Sequence, residues 1–186
     1  TTAIAAALSL LPLGQPLLLG STTALATTAV VFSTQAAHAQ SAEDYVNRGN
    51  SKYRLRDYQG AIADYTKAIE INPQDALAYY NRGNAEDELK DYQGAVADYN
   101  QAIEINPQFA LAYYNRGNAK RKSGDNQGAI ADYNKTIAIN PQYASAYVNR
   151  GSTKELVGDL KGACADWREA SSLGKKDAAG WVRDQC

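Results

Sequence analysis

The chain has 186 residues, 19 of them basic and 20 acidic, for a formal net charge of -1. That balance gives neither nucleic acid nor an anionic membrane surface a charge to hold on to, and one histidine, two cysteines and no methionine leave little material for a metal site or a cofactor. The length would suit one globular domain, but the sequence repeats itself, so the number of repeats sets the size of the fold.

Residues 1–41 differ from everything after them. No Asp, Glu, Lys or Arg precedes Glu43, and Ala, Leu and Thr dominate. Leu8-Ser9-Leu10-Leu11-Pro12-Leu13 and Leu17-Leu18-Leu19-Gly20 read as the apolar core of an export signal, and Ala37-His38-Ala39 before Gln40 supplies the small-x-small pattern that signal peptidase cleaves. The basic leader of such a signal, like the start methionine, is expected upstream of Thr1. The alternative is a retained membrane anchor, since residues 17–39 are uncharged and a span needs roughly 20 apolar residues. The threonines, Gly20 and Gln35 weaken that alternative.

From Ala42 onward the chain returns on itself every 34 residues. Asn47-Arg48-Gly49-Asn50 recurs as Asn81-Arg82-Gly83-Asn84, Asn115-Arg116-Gly117-Asn118 and Asn149-Arg150-Gly151-Ser152, which divides the chain into units 42–75, 76–109, 110–143 and 144–177. In the first unit Tyr45, Gly49 and Leu55 mark one helix. Tyr58, Ala61, Ile62, Tyr65, Ala68 and Ile69 fall at three- and four-residue steps on one face of a second, so each unit is a helical hairpin. Gly49 and Ala61 are small where the two helices cross. Asp57, Asp91, Asp125 and Asp159 stand where a carboxylate can cap the second helix. That helix ends before Pro73, Pro107 and Pro141, because the residue preceding proline is pushed out of the helical region. Gly124 and Gly158 suit the turn inside the hairpin, although Arg56 and Lys90 fill that place in the first two units. Tyr65, Tyr99, Tyr133 and Trp167 are the expected core. Arg48, Arg82, Arg116 and Arg150 each share a unit with Asp64, Asp98, Asp132 or Asp166, and a buried cation needs such a partner, so an Arg–Asp ladder within or between units is predicted, the alternative being solvated arginines.

These residues resemble the tetratricopeptide repeat (TPR) family. Its pattern of an aromatic at position 4, Gly or Ala at 8, Ala at 20, an aromatic at 24, Ala at 27 and Pro at 32 is met by Tyr45, Gly49, Ala61, Tyr65, Ala68 and Pro73 and by their equivalents in later units, except that Lys175 replaces the last proline. Position 11, usually aromatic, reads Lys52, Glu86, Lys120 and Lys154, and position 7, usually Leu, is always Arg. The resemblance covers residues 42–177 and implies an all-α, right-handed superhelical solenoid of four hairpins. Residues 178–186 continue the register, with Trp181 at position 4, and read as a C-terminal capping helix.

The resemblance further implies that Asn47, Asn81, Asn115 and Asn149, with Asn50, Asn84, Asn118, Tyr80 and Tyr114, line a concave groove. A carboxamide offers both a donor and an acceptor, so a ladder of them, similar to that of the O-GlcNAc transferase repeats, can hold the backbone of an extended peptide. The other reading is that these asparagines only tie neighbouring helices together. Selectivity is expected where the units differ, at Tyr53 and Arg54, Asp87 and Glu88, and Arg121 and Lys122. Alternating charge there favours a partner of complementary mixed charge, unless Glu86 and Lys120 simply pair with each other at the surface. The carboxylate clamp of some relatives needs cations where this chain has Leu111, Val46 and Asn115, so it is not expected.

No catalytic constellation or phosphate-binding glycine loop is visible. The expected function is therefore a non-enzymatic protein-interaction module gripping a peptide, with no cofactor, nucleic acid or small-molecule substrate. The alternative is an assembly or stabilising subunit of a membrane protein complex. The NRGN and GAIADY phrasing resembles cyanobacterial members of the family, which implies periplasm or thylakoid lumen, or a membrane attachment through residues 1–40. Finally, Cys164 replaces the Ile62, Val96 and Ile130 of earlier units and should face inward, and Cys186 lies four residues after Val182 on the cap. An exported chain with both cysteines in its terminal module is expected to pair them; the alternative is that Cys164 is a small buried hydrophobe and Cys186 a loose terminal thiol.

Overall fold

The computed structural model describes residues 40–186, so the export signal or anchor expected before Gln40 lies outside the described residues. Among the described residues there are nine α-helices and no strand. They are α1 (Ala42–Arg54), α2 (Tyr58–Ile71), α3 (Ala76–Glu88), α4 (Tyr92–Ile105), α5 (Ala110–Lys122), α6 (Asn126–Ile139), α7 (Ala144–Leu156), α8 (Leu160–Ser172) and α9 (Lys176–Gln185). Each odd-numbered helix from α1 to α7 pairs with the next to make a hairpin, each hairpin packs on the one after it, and α9 closes on α8. The cap begins at Lys176, two residues before the boundary expected at 178. None of the described helices is long and apolar enough to cross a membrane.

Local chemistry sets the ends of these helices. Ser41 and Asp44 form a reciprocal capping box at α1. Asp57, Asp91, Asp125 and Asp159 accept from the backbone N–H three residues on, as expected. At α5 and α7 the cap positions are Phe109 and Tyr143, which give no side-chain cap but pack 4.9 Å from the rings of Tyr80 and Tyr114. The second helices stop at Asn72, Asn106 and Asn140, extended before proline, and each of these carboxamides accepts from the N–H two residues later. The hairpin turns need a left-handed residue. Arg56 and Lys90 carry φ of 62° and 64° in the first two units, where Gly124 and Gly158 later serve at no steric cost.

The core repeats in the same register. Tyr65, Tyr99, Tyr133 and Trp167 are buried; Tyr65 packs with Ala61 and Ala85, Tyr99 with Ala95 and Ala119, and Trp167 with Ala163, Ala170 and Ala178. The glycine at position 8 has a specific reason: a Cβ on Gly49 would lie 2.6 Å from Tyr65 Cε1, and one on Gly117 2.8 Å from Tyr133 Cε1. The aromatic ring, more than the opposing backbone, is what forbids a side chain there.

Candidate functional site

The predicted Arg–Asp ladder is present, one rung per hairpin. Arg48 reaches Asp64 at 2.8 and 2.6 Å, Arg82 reaches Asp98 at 2.6 and 2.7 Å, Arg116 reaches Asp132 at 2.9 and 2.6 Å, and Arg150 reaches Asp166 at 2.9 and 2.5 Å. Each contact is a two-pronged fork, the geometry a guanidinium favours with a carboxylate. The third nitrogen looks backward: Arg82, Arg116 and Arg150 donate to Thr66, Asn100 and Asn134 of the preceding hairpin. The tyrosine at position 4 covers each guanidinium at 4.8 to 5.6 Å. Thus in the second to fourth units this arginine joins two helices of its own unit and one of the previous unit, while Arg48 donates to Gln40 at 3.1 Å. The hydrogen bond from Arg48 also holds Asp64 below the usual carboxylate range, against the burial that would raise it.

The asparagines form a continuous line across the first helices. Asn81 donates to Asn50 at 3.3 Å, Asn115 to Asn84 at 2.8 Å and Asn149 to Asn118 at 2.8 Å. Asn115 and Asn149 also donate to the hydroxyls of Tyr80 and Tyr114, at 3.0 and 2.9 Å. From beneath, Tyr65, Tyr99 and Tyr133 donate to Asn50, Asn84 and Asn118 at 2.8 Å. Burial pushes the hydroxyls of Tyr65 and Tyr133 up to about 12, so they stay protonated and remain donors near neutral pH. These tyrosines were expected in the core; their grip on the ladder was not, although the shared period of Tyr and Asn carried the signal.

The carboxamides therefore do tie neighbouring helices together, but only with half their atoms. Among the described residues Asn50, Asn84 and Asn118 spend Oδ1 and keep Nδ2, while Asn81, Asn115 and Asn149 spend Nδ2 and keep Oδ1. Asn47 stands apart: it is exposed on α1, where no hairpin of the described chain precedes it. A cavity of about 290 Å³ opens between the first two hairpins, lined by Asn50, Tyr53, Arg54, Tyr65, Asn81 and Asn84.

The residues that differ between units lie beside this line. Tyr53 packs edge-on to Tyr58 at 5.3 Å, and burial, with Glu88 adding to it, pushes its hydroxyl up to about 12. Glu88 accepts from Tyr58 at 3.2 Å. Glu86 and Lys120 do not pair across hairpins; the ion pair there is Lys122 with Asp87, at 2.5 Å. Lys120 turns back to Asp132 of its own hairpin. Asp87 Oδ1 and Arg121 Nε are buried with no hydrogen-bond partner among the described residues. Among those residues, too, no group of three or more His, Cys, Asp and Glu side chains is placed to hold a metal ion.

At the far end Cys164 and Cys186 are joined in a disulfide with their Cα atoms 5.7 Å apart, and Cys164 is buried as its place in the register required. Trp181 lies 5.7 Å from Trp167, completing a cluster with Ala163, Ala170 and Ala178.

Stacked helical hairpins with a polar line along their first helices define a repeat solenoid of the protein-interaction class. The matching family models make the class specific: residues 46–110 and 98–131 match tetratricopeptide repeat models and residues 117–156 a TPR repeat model. The chain belongs to the tetratricopeptide repeat family. Similar solved structures include a crystal structure of MamA, 27% identical with a TM-score of 0.73 over 79% of this chain and 86% of that one. An Arabidopsis OM64 TPR domain is 29% identical, with a TM-score of 0.61 over 62% and 96%. A third, described as the first TPR of Spaghetti (RPAP3) bound to HSP90 peptide SRMEEVD, is 26% identical, with a TM-score of 0.62 over 64% and 94%. Among curated proteins no match is found.

Proposed function

We propose that the protein is a non-catalytic interaction module that holds an extended peptide segment along the row of first helices, in the groove formed by Asn50, Asn81, Asn84, Asn115, Asn118 and Asn149. The observation that carries this reading is the division of labour within each carboxamide: one atom anchors the ladder and the other has no partner among the described residues. An unspent donor from position 9 and an unspent acceptor from position 6 recur at every junction. An extended backbone presents N–H and C=O groups that such a row can meet. The similar TPR structure bound to an HSP90 peptide supports a peptide ligand. The cavity beside Arg54 and the partnerless atoms of Asp87 and Arg121 are the proposed points of side-chain selection. Export is part of the proposal, and the Cys164–Cys186 bond supports it because such bonds persist in oxidising compartments.

Asn84→Asp tests the reading with little damage to the fold. It keeps oxygens for Tyr99 and Asn115 to donate to, and replaces the unspent donor with an acceptor. Peptides selected on the wild-type protein from a display library of unstructured sequences should bind the variant about tenfold more weakly, the loss of one hydrogen bond of ordinary strength. Equal affinity for both proteins removes the ladder as the binding surface.

A further inference from the structure

The second hairpin departs from a rule the other three keep. In those, the buried aspartate of the second helix takes a second cation besides its arginine: Lys52 meets Asp64, Lys120 meets Asp132 and Lys154 meets Asp166, each at 2.9 Å. Lys52 also donates to the carbonyl of Gly60 at 3.3 Å. Carboxylate and carbonyl alike are acceptors, so position 11 is a place for a donor. The second hairpin puts Glu86 there. Its carboxyl carbon lies over the first turn of α4, 3.1 Å from where a Cβ on Gly94 would stand, and its Oε2 is buried with no partner among the described residues. Asp98 meanwhile accepts both prongs of the Arg82 fork. An ionised Glu86 has nothing to give such neighbours, whereas the acid form has one proton to donate.

We propose that Glu86 and Asp98 form a proton-binding pair, in which Glu86 holds the proton and donates it to Asp98, so that the α3–α4 hairpin is locked in the acid form and loosens when the proton leaves. The surroundings are accounted for on each side. From α3 itself Arg82 favours the ionised form of Glu86; from α4 Asp98 opposes it, Tyr99 faces it, and Asp91 in the turn before α4 opposes it too. On the α2 side Arg82 holds the uncharged Thr66. Helix α1 meets α3 through Asn50 and Asn81, and α5 meets it through Asn115 and Asn84 and through Lys122 and Asp87. Burial first, and then the charge of Asp98, raise Glu86 from the ordinary 4.5 to about 7.

The folded state therefore binds this proton more tightly than the unfolded chain. Its stabilising effect is whole below about 4.5, falls as pH rises to about 7, and is gone above that. Asp64, whose value is lowered, has the opposite sign, and its contribution is lost only in more acid solution.

Unfolding of the full chain by urea between about pH 5 and pH 8 reads the lock directly. The wild-type unfolding constant should rise by up to about tenfold per pH unit below neutrality. Glu86→Gln, which keeps a donor and cannot ionise, should remove that slope. A carbon-13 titration of the wild-type Glu86 carboxyl should have its midpoint near neutral pH, and needs no variant to fold. A glutamine variant with the wild-type slope overturns the proposal, as does a Glu86 carboxyl that titrates in the ordinary glutamate range.

Discussion

In the first three hairpins the buried aromatic is a tyrosine whose hydroxyl donates to an asparagine of the same unit, which also receives an asparagine of the next. In the fourth it is Trp167, opposite Ser152 instead of asparagine, and its Nε1 is buried without a partner among the described residues. Beyond it Arg183, at the position that would continue the ladder, turns to its neighbour Asp184. The polar rung is thus used where a following first helix completes it. Where the short α9 follows instead, the chain substitutes a larger apolar ring, a second tryptophan and a disulfide. Hydrogen bonds gain little when one side faces water, so an incomplete rung is a poor way to close a stack, and the end hairpin relies on ring contact although Trp167 leaves its own Nε1 unpaired among the described residues. Apolar contact carries no such condition.

Removing a rung's whole ring gives the largest expected effect. Tyr99→Ala should destabilise by about 3–5 kcal/mol, as for other buried aromatics, because it empties the space against Ala95 and Ala119 as well as freeing Asn84. Tyr99→Phe, which keeps the ring, should cost only about 1 kcal/mol in the same urea titration. Similar costs for the two variants would mean that the hydroxyl, and not the packing, dominates inside the stack.

Opening the terminal staple comes next. Cys186→Ser frees a loop whose ends are 22 residues apart and should lower stability by about 3 kcal/mol in the chain-entropy account. Hydrogen exchange should show the loss concentrated in α9, with α3 to α6 unchanged. Two alkylatable thiols in the native protein would show that the end relies on the tryptophans alone.

The smallest effect tests whether the two solutions are interchangeable. Ser152→Asn with Trp167→Tyr rebuilds the interior rung in the fourth hairpin. The double-mutant cycle should show a favourable coupling of about 1 kcal/mol, even though the loss of Trp167–Trp181 packing makes the pair less stable than wild type. Zero coupling would mean that the rung works only with a following asparagine.

Much of this fold was legible in the chain itself. The helix ends follow from Asp57, Asn72 and Pro73 and their equivalents, the buried tyrosines from their spacing, and the Arg–Asp ladder from two residues locked to one period. The pairing of Cys164 with Cys186 followed from a register in which one replaces a core residue and the other ends the cap. All of these depend on neighbours within one hairpin or its immediate continuation, where helical periodicity alone says which face a side chain takes. Tertiary structure decided the rest. Which atom of each asparagine is spent, why Asp87 takes Lys122 while Lys120 turns inward, and why Glu86 is left among acceptors all depend on distances across helices that the period does not encode. A repeat specifies that four positions are equivalent; only packing shows that a charge reversed at one of them meets a neighbour that did not change with it.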